Sequence, residues 1–142
     1  MTPRNPAFEE AVRASFGRQG MMRLLGAEIV ALDPGRCTIA APVRAETSQQ
    51  HGFAHAGLAW TIGDSAAGYA ALSLRGADEE VLTVEMKINL LAPARGARLV
   101  AEGRVIRSGR TLVTVASEIH AEAADGRIHV ASMLGTMIAV PR

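Results

Sequence analysis

The sequence predicts an α+β domain in which one antiparallel sheet covers one long apolar helix. From Ala56 to Leu74 the residues are apolar or small, with no proline, which is long enough for about five helical turns. Residues 82–90 then alternate between apolar and polar side chains, as a half-buried strand does. The later segments are separated by short turns, so neighbouring strands run antiparallel. A sheet wrapped around the helix is the simplest architecture that covers it.

Composition restricts the class of protein. A chain of 142 residues fits one domain over residues 1–142, and a net charge of +1 indicates no general attraction to nucleic acid or acidic lipid. Cys37 is the single cysteine, so neither an intrachain disulfide nor a zinc-ligand cluster is expected. The first residues lead into Glu9 and Glu10 without an apolar stretch that would indicate a signal peptide. We therefore expect a cytoplasmic protein without a metal.

The first part of the chain predicts a helix. Pro6 stands near its start, acidic residues fill the first turns, and apolar side chains recur at Phe8, Val12 and Phe16. This spacing predicts a helix over residues 6–16. Residues 17–20 contain two glycines and interrupt it.

A β-hairpin is predicted next. The segment from Met21 to Leu32 contains an apolar run and the first strand, and residues 36–43 form the second strand. The turn Asp33-Pro34-Gly35 connects them. Residues 44–54 form a polar loop that leads into the central helix, predicted over residues 56–74 with Gly76 as a C-cap.

Four strands follow the central helix. Leu82, Val84, Met86, Ile88 and Leu90 alternate with polar residues and define the clearest strand of the sequence. Turn signals at residues 93–96, 108–110 and 125–126 separate the later strands. Those strands are predicted over residues 99–107, 113–119 and 128–140.

Asp64 is the only charged residue in the central helix predicted over residues 56–74. It shares one narrow stripe with small and polar residues, because the helical spacing aligns Gly57, Thr61, Asp64, Ser65 and Gly68. Burying a carboxylate disfavours its charged form, so we expect this stripe to face a cleft or another subunit. A membrane-spanning helix is the competing interpretation, and Asp64 at its centre counts against it.

The motif around this helix resembles the phenylacetyl-CoA thioesterase-like (PaaI-type) branch of the hotdog thioesterase superfamily. Members of that branch have a polar residue, then His-Gly-Gly, then Asp or Glu nine residues after the histidine. This chain has Gln49, then His55-Ala56-Gly57, and Asp64 nine residues after the histidine. Thr83 stands at the start of the next strand, where members often carry Ser or Thr.

Two further segments, residues 84–94 and 105–110, are similar to family sequences, and the resemblance extends from about Leu24 onwards. Two positions depart from the family pattern. Ala56 replaces the first glycine, which a site needing only a small residue tolerates. Gln49 stands where many members have Asn. The resemblance implies a hotdog fold, a curved antiparallel sheet around a central helix, and an acyl-CoA thioesterase.

Thioester hydrolysis needs an activated water and a donor for the developing oxyanion. The N-terminus of the helix presents unpaired amides, and we expect the Gly57 N–H to be the oxyanion donor. Asp64 is the candidate general base, or a nucleophile that forms a mixed anhydride. Thr83 is expected to orient the water, and Gln49 to hold the thioester carbonyl or the water. His55 is expected to shape the loop or to bond near the oxyanion donor.

The resemblance also implies an oligomer and a bound nucleotide. It places the active site at a homodimer interface, with Asp64 of one subunit beside Thr83 of the other, and favours a homotetramer built as a dimer of dimers. Coenzyme A is expected as part of the substrate, with no other cofactor. Basic residues should lie at the mouth of a pantetheine tunnel. The candidates for CoA binding are Lys87, Arg95, Arg107, Ser108 and Arg110.

Three alternatives stay open. Asp64 is a structural carboxylate capped by Thr61 or Ser65 if it has no catalytic role. A non-catalytic acyl-CoA-binding protein would keep the fold, but a missing acid would favour it and Asp64 is present. A hotdog hydratase or dehydratase usually pairs a catalytic histidine with the acid, and the helix offers no second histidine besides His55.

Overall fold

The computed structural model describes all residues from Met1 to Arg142. Two helices come first and one long helix lies between the second and third strands. The helices are α1 (Phe8–Arg18), α2 (Gly20–Leu25) and α3 (Ala56–Leu72), with a 3₁₀ turn at Ala45–Thr47. The strands are β1 (Glu28–Asp33), β2 (Arg36–Pro42), β3 (Glu79–Leu90), β4 (Arg98–Ser108), β5 (Leu112–Ala123) and β6 (Gly126–Pro141). This order confirms the predicted hotdog arrangement.

The six strands form one antiparallel sheet in the order β1-β2-β4-β5-β6-β3. Helix α3 packs against its inner face, contacting mainly β2, β4 and β5. Most of the helix is buried, with Ile62 and Ala66 fully enclosed. Burying a side chain such as Ile62 stabilises the fold by roughly 1.5–3 kcal/mol. No helix has both the length and the hydropathy that crossing a membrane requires.

Helix and sheet approach each other closely at Gly103 of β4. A Cβ atom at this position would lie 2.2 Å from the carbonyl carbon of Ala66 and 2.4 Å from the Ala67 nitrogen. Glycine is therefore required here, because any side chain would push the helix backbone off the sheet.

The region before β1 differs from the prediction. α1 extends to Arg18, and a second helix, α2, occupies the start of the segment in which only the first strand was expected. Met22 and Leu25 are buried on one side of α2, and Gly26 ends it with a left-handed φ of 64°. The apolar run was ambiguous because so short a segment contains too few repeats to distinguish the helical period from the strand period.

The C-terminal end of α3 also differs. The helix ends at Leu72 with Ser73 as its C-cap, two residues before the predicted end, and Gly76 has no left-handed conformation. The Gly76 N–H instead donates to the Glu79 carboxylate at 2.8 Å. The predicted C-cap at Gly76 is therefore wrong, and Ser73 is the residue that caps the helix.

Strand β3 contains a bulge that the alternating pattern did not reveal. Thr83 pairs with Met137 while Glu85 pairs with Thr136, so Val84 is the extra residue. A bulge reverses the alternation of faces. As a result Leu82 and Val84 are each 57% exposed, although Met86 packs against the core.

The contact at Gly103 generates a stability prediction. We expect Gly103→Ala to lower the free energy of unfolding by about 1–3 kcal/mol or more, because its Cβ overlaps helix backbone rather than a movable side chain. Urea denaturation measures the change. Gly17→Ala in exposed α1 is the control, since its Cβ meets nothing within 4 Å. That variant should gain roughly 0.5–1 kcal/mol. Equal effects of the two substitutions would contradict the close-contact argument.

Candidate active site

The N-terminus of α3 is held by backbone contacts from the preceding loop. The His55 N–H donates to the Thr47 carbonyl at 2.8 Å, and the Ala54 N–H donates to the Ala94 carbonyl at 3.0 Å. His55 is the N-cap of the helix, and its Nδ1 accepts a 2.8 Å hydrogen bond from the Gly57 N–H. The imidazole Nδ1 is thus unprotonated in this arrangement. His55 therefore caps the first turn of α3.

The cap contact changes which amide is free for an oxyanion. The Gly57 N–H, which was expected to be the oxyanion donor, donates to His55 Nδ1 in this structure and is therefore not free. The amide one residue earlier, Ala56 N–H, has no acceptor within the protein. It is the unpaired donor that the first helical turn leaves available, at its positive dipole end.

An apolar cleft of about 500 Å³ adjoins this helix end. Gln49, His55 and Ala56 form its polar border. The Gln49 side-chain oxygen accepts the His51 N–H, while its NH₂ group makes no hydrogen bond within the protein. The remaining lining residues are Phe53, Ala54, Ala59, Leu90, Leu91, Ala92, Pro93, Ala94 and Val130. The cleft combines an apolar wall with the unpaired amides of Gln49 and Ala56.

Asp64 lies two turns further along α3, on the predicted stripe. Its neighbours on the stripe, Thr61, Ser65 and Gly68, are partly exposed, while the flanking helix positions are buried. Thr83 Oγ1 donates a 2.8 Å hydrogen bond to Asp64 Oδ1 within the same chain. The family resemblance implied the Thr83 of another subunit beside Asp64, whereas in this structure the Thr83 of the same chain makes the contact. The bulge in β3 turns Thr83 toward the helix and makes the contact possible.

Burial raises the pKa of Asp64 above its ordinary value of 3.8, because the charged carboxylate loses solvation. The hydrogen bond from Thr83 opposes this effect and lowers the pKa. A carboxylate with only one hydrogen bond and partial burial is a stronger base than an exposed one. The environment of Asp64 therefore suits proton abstraction from water.

A small polar cavity of about 120 Å³ lies behind Asp64 and Thr83. Tyr69 stands at its far side, where its hydroxyl accepts a 2.8 Å hydrogen bond from Gln19 Nε2 and lies 3.4 Å from Ser15 Oγ. Ser15 of α1 and the C-cap residue Gln19 thus close this cavity. Ser15 and Gln19 were not predicted as site residues, although their i, i+4 spacing at the end of α1 was the available signal.

The predicted catalytic residues fall into two groups along α3. Ala56 and Asp64 are eight residues apart, a separation of about 12 Å at a helical rise of about 1.5 Å per residue. A reacting carbonyl must lie about 3 Å from both its oxyanion donor and its nucleophile. Within one chain, the amides at the helix start and Asp64 are too far apart to act on the same carbonyl.

The predicted CoA-binding residues are also divided. Arg95 lies near the start of α3, with its Cζ 4.6 Å from the centroid of the Phe53 ring. Lys87 is exposed on β3. Arg107, Ser108 and Arg110 occupy the opposite end of β4, roughly 30 Å from Arg95 at a strand rise of about 3.3 Å per residue. One chain therefore does not bring all five residues to a single phosphate.

A second polar cluster lies on the outer face of the sheet. His129 Nε2 contacts both Glu118 Oε2, at 2.8 Å, and Ser132 Oγ, at 3.1 Å. A nucleophile triad requires the acid on the other ring nitrogen, so this arrangement is not a charge-relay system. No group of three or more His, Cys, Asp or Glu side chains is placed to hold a metal ion.

Comparison with known proteins identifies the family. The thioesterase superfamily model matches residues 51–125. A thioesterase family protein from Silicibacter pomeroyi is 41% identical, with a TM-score of 0.93 over 95% of this chain and 99% of that one. The 1,4-dihydroxy-2-naphthoyl-CoA hydrolase of Listeria monocytogenes is 26% identical over 65% of this chain and 75% of its own. Escherichia coli PaaI shares the fold, with a TM-score of 0.84 at 20% identity over 96% of each chain.

The fold and these matches define a hotdog-fold hydrolase of thioesters. The chain belongs to the thioesterase superfamily.

The environment of Asp64 generates a prediction for stability against pH. The folded-state pKa is raised above the unfolded value of 3.8, so the folded chain binds the proton more tightly and stability falls as the pH rises above 3.8. Asp64→Asn has no charge to desolvate and keeps an acceptor for Thr83. We expect it to be more stable than the wild type at neutral pH, with a difference that shrinks as the pH falls toward 3.8.

Urea denaturation of both proteins between about pH 4 and pH 8 measures this difference. Asp78→Asn, at an exposed loop position, is the matched control and should show no such trend. A wild type that is more stable than Asp64→Asn at neutral pH would refute the desolvation argument.

Proposed function

We propose that the protein is an acyl-CoA thioesterase that hydrolyses an aryl- or short- to medium-chain acyl-CoA to the free acid and CoA. The observation that carries this proposal is the contact of Thr83 with Asp64 on the one polar stripe of α3. It puts a partly buried carboxylate of raised pKa where the otherwise apolar helix meets a cavity. The name of the Listeria relative, a CoA hydrolase, supports CoA as the leaving group.

In this mechanism Asp64 acts as the general base for a water molecule, or attacks the thioester itself as a nucleophile. Thr83 holds one carboxylate oxygen, so the other oxygen faces the water or the carbonyl carbon. When Asp64 is the base, the water proton passes to the carboxylate and the hydroxide forms the tetrahedral intermediate. The carbon–sulfur bond of this intermediate then breaks, and the departing sulfur of CoA takes the proton from Asp64, which restores the carboxylate.

The oxyanion is stabilised at the N-terminus of α3. The free Ala56 N–H is the first donor, and the helix dipole adds positive potential there. Gly57 contributes its N–H only when His55 releases it. The Gln49 NH₂ group borders the same cleft and can hold the thioester carbonyl or the water.

The active site is shared between two copies of the chain. One copy supplies Gln49, His55 and the first-turn amides, and the other supplies Asp64 together with its own Thr83. The separation of about 12 Å along α3 supports this arrangement. Strand β3 is a sheet edge with Leu82, Val84 and Leu90 exposed, which is a surface that a second copy would cover. A homodimer, and a dimer of such dimers in a cytoplasmic homotetramer, remain predictions.

Substitution of Asp64 is the primary test of the proposed thioesterase activity. We expect Asp64→Asn and Asp64→Ala to lower kcat by about 10²–10⁴-fold, because the base or nucleophile is lost. A free-thiol release assay over acyl-CoAs from acetyl and phenylacetyl to palmitoyl measures turnover, with Asp78→Asn as the carboxylate control. If the wild type binds acyl-CoA without hydrolysing it, the non-catalytic alternative is favoured. If it hydrates an enoyl-CoA, the hydratase alternative is favoured.

The oxyanion donor can be tested without disturbing the helix. Proline is tolerated at the first helical position, and the extended His55 is compatible with a following proline. Ala56→Pro removes one amide hydrogen and should lower kcat about 10²–10³-fold at an unchanged melting temperature. Ala56→Gly, which keeps the amide, gives the reference rate.

Co-expression of Ala56→Pro chains with Asp64→Asn chains tests the shared site. A mixed dimer has one intact site, so about a quarter of the wild-type activity should return in a randomly mixed two-fold population. No recovery in dimers that are shown to be mixed would place both groups in the same chain.

A further inference from the structure

A methionine of strand β6 lies beside the contact between Thr83 and Asp64, and the proposed reaction gives it no role. Met137 is the cross-strand partner of Thr83, at the pair that immediately precedes the bulge of β3. Its sulfur lies 3.3 Å from Thr83 Oγ1, and the same oxygen lies 2.8 Å from Asp64 Oδ1. The Thr83 hydroxyl therefore has two acceptors on the protein, a carboxylate and a thioether.

The charge of Asp64 decides which acceptor the hydroxyl uses. Threonine carries a single O–H donor, and a thioether sulfur accepts hydrogen bonds only weakly. An ionised carboxylate is a much stronger acceptor, so the hydrogen points to Asp64 while Asp64 is charged. Protonation of Asp64 removes that charge and with it most of the preference. The hydrogen then turns to Met137 by rotation about the C–O bond, without movement of heavy atoms.

Met137 is fixed by packing on three sides. It is fully buried, and it pairs with Thr83 on one side and with Val113 on the other. Its methyl group lies against the polar stripe of α3, where a Cβ atom at Gly68 would lie 3.9 Å from Met137 Cε. The sulfur is thus held next to Thr83 by two strands and the helix.

The other ionisable groups beside Asp64 do not determine its protonation. Two of them line the same cavity, Tyr69 of α3 and Glu80 of β3. Glu80 forms an ion pair with Arg142, and burial raises the pKa of Tyr69, so its hydroxyl stays protonated. The pKa of Asp64 is raised by its burial and lowered by the hydrogen bond from Thr83. The direction of the Thr83 hydrogen therefore acts directly on Asp64.

We propose that Met137 is a positioning residue that accepts the Thr83 hydroxyl whenever Asp64 takes up a proton. The proposal rests on the proposed function, in which Asp64 removes a proton from water. As that proton reaches Asp64, the Thr83 hydrogen turns to the Met137 sulfur, so the hydroxyl keeps an acceptor beside the neutral acid. When the proton passes to the departing sulfur of CoA, the Thr83 hydrogen returns to the restored carboxylate. No bond to Met137 forms or breaks, and a single proton is transferred.

Carbon-13 NMR titration of the Asp64 carboxyl in the full chain tests the proposal, with Asp64→Asn to assign the signal. Met137→Leu conserves volume but removes the second acceptor, so only the protonated state loses a hydrogen bond. The titration midpoint should fall by about half a pH unit. Met133→Leu is the matched control, because Met133 is buried in the same core but pairs with Ile88 rather than Thr83. It should leave the midpoint unchanged.

A double-mutant cycle shows whether the effect passes through the shared hydroxyl. Thr83→Val should raise the midpoint, because the carboxylate loses its donor. Adding Met137→Leu to Thr83→Val should then cause no further shift. An unchanged midpoint in Met137→Leu, an equal shift in Met133→Leu, or the same shift in the absence of the hydroxyl would each overturn the proposal.

The pH dependence of acyl-CoA hydrolysis gives the second measurement. Because turnover needs the free base, the acidic limb of kcat/KM should move to lower pH in Met137→Leu together with the NMR midpoint. A limb that stays in place while the midpoint moves would contradict the part of Met137 in the reaction. If the wild type hydrolyses no acyl-CoA, the proposed thioesterase function fails, whereas the NMR cycle still decides whether the Thr83 hydrogen changes its acceptor.

Discussion

The burial of α3 against the sheet is the constraint on which the other features depend. Gly103 lets the helix backbone contact β4 directly, and the helix core positions are almost all apolar. Such a helix can expose only one narrow stripe without losing its packing. Any polar chemistry of the helix is therefore restricted to that stripe and to the two helix ends, which is where Asp64, the Ala56 amide and Arg75 lie.

The two ends of α3 are opposite ends of the helix dipole, and their backbone groups have different hydrogen-bond partners. The N-terminal end keeps the Ala56 amide free beside an apolar cleft, where a positive dipole favours a developing oxyanion. The C-terminal end satisfies its carbonyls locally and leaves a buried guanidinium. Asp64 lies between them at the cost of its solvation. Because about 12 Å of helix separates Ala56 from Asp64, a single chain contains both groups but does not bring them to the same carbonyl.

Much of the fold was predictable from local patterns, and the errors have physical causes. The strand around Val113 and Val115 was predicted because its alternation matches a half-buried strand. The helix Gly20–Leu25 was missed because a short apolar run has no distinguishing period. The bulge at Val84 was missed because an extra residue changes pairing with β6, which is a property of two strands. The C-cap at Gly76 was wrong because Ser73 ended the helix first.

By itself the sequence determined the central helix, its polar stripe, the succession of strands along the chain and the spacing of His55 and Asp64. Each of these depends on residues that are close together in the chain. The tertiary structure alone decided which contacts those residues make. In the folded chain the Gly57 amide donates to His55, and Thr83 donates to Asp64. Arg4, Arg75 and Arg110 line the same cavity. These contacts join residues far apart in the chain or depend on side-chain conformation, so no local periodicity encodes them.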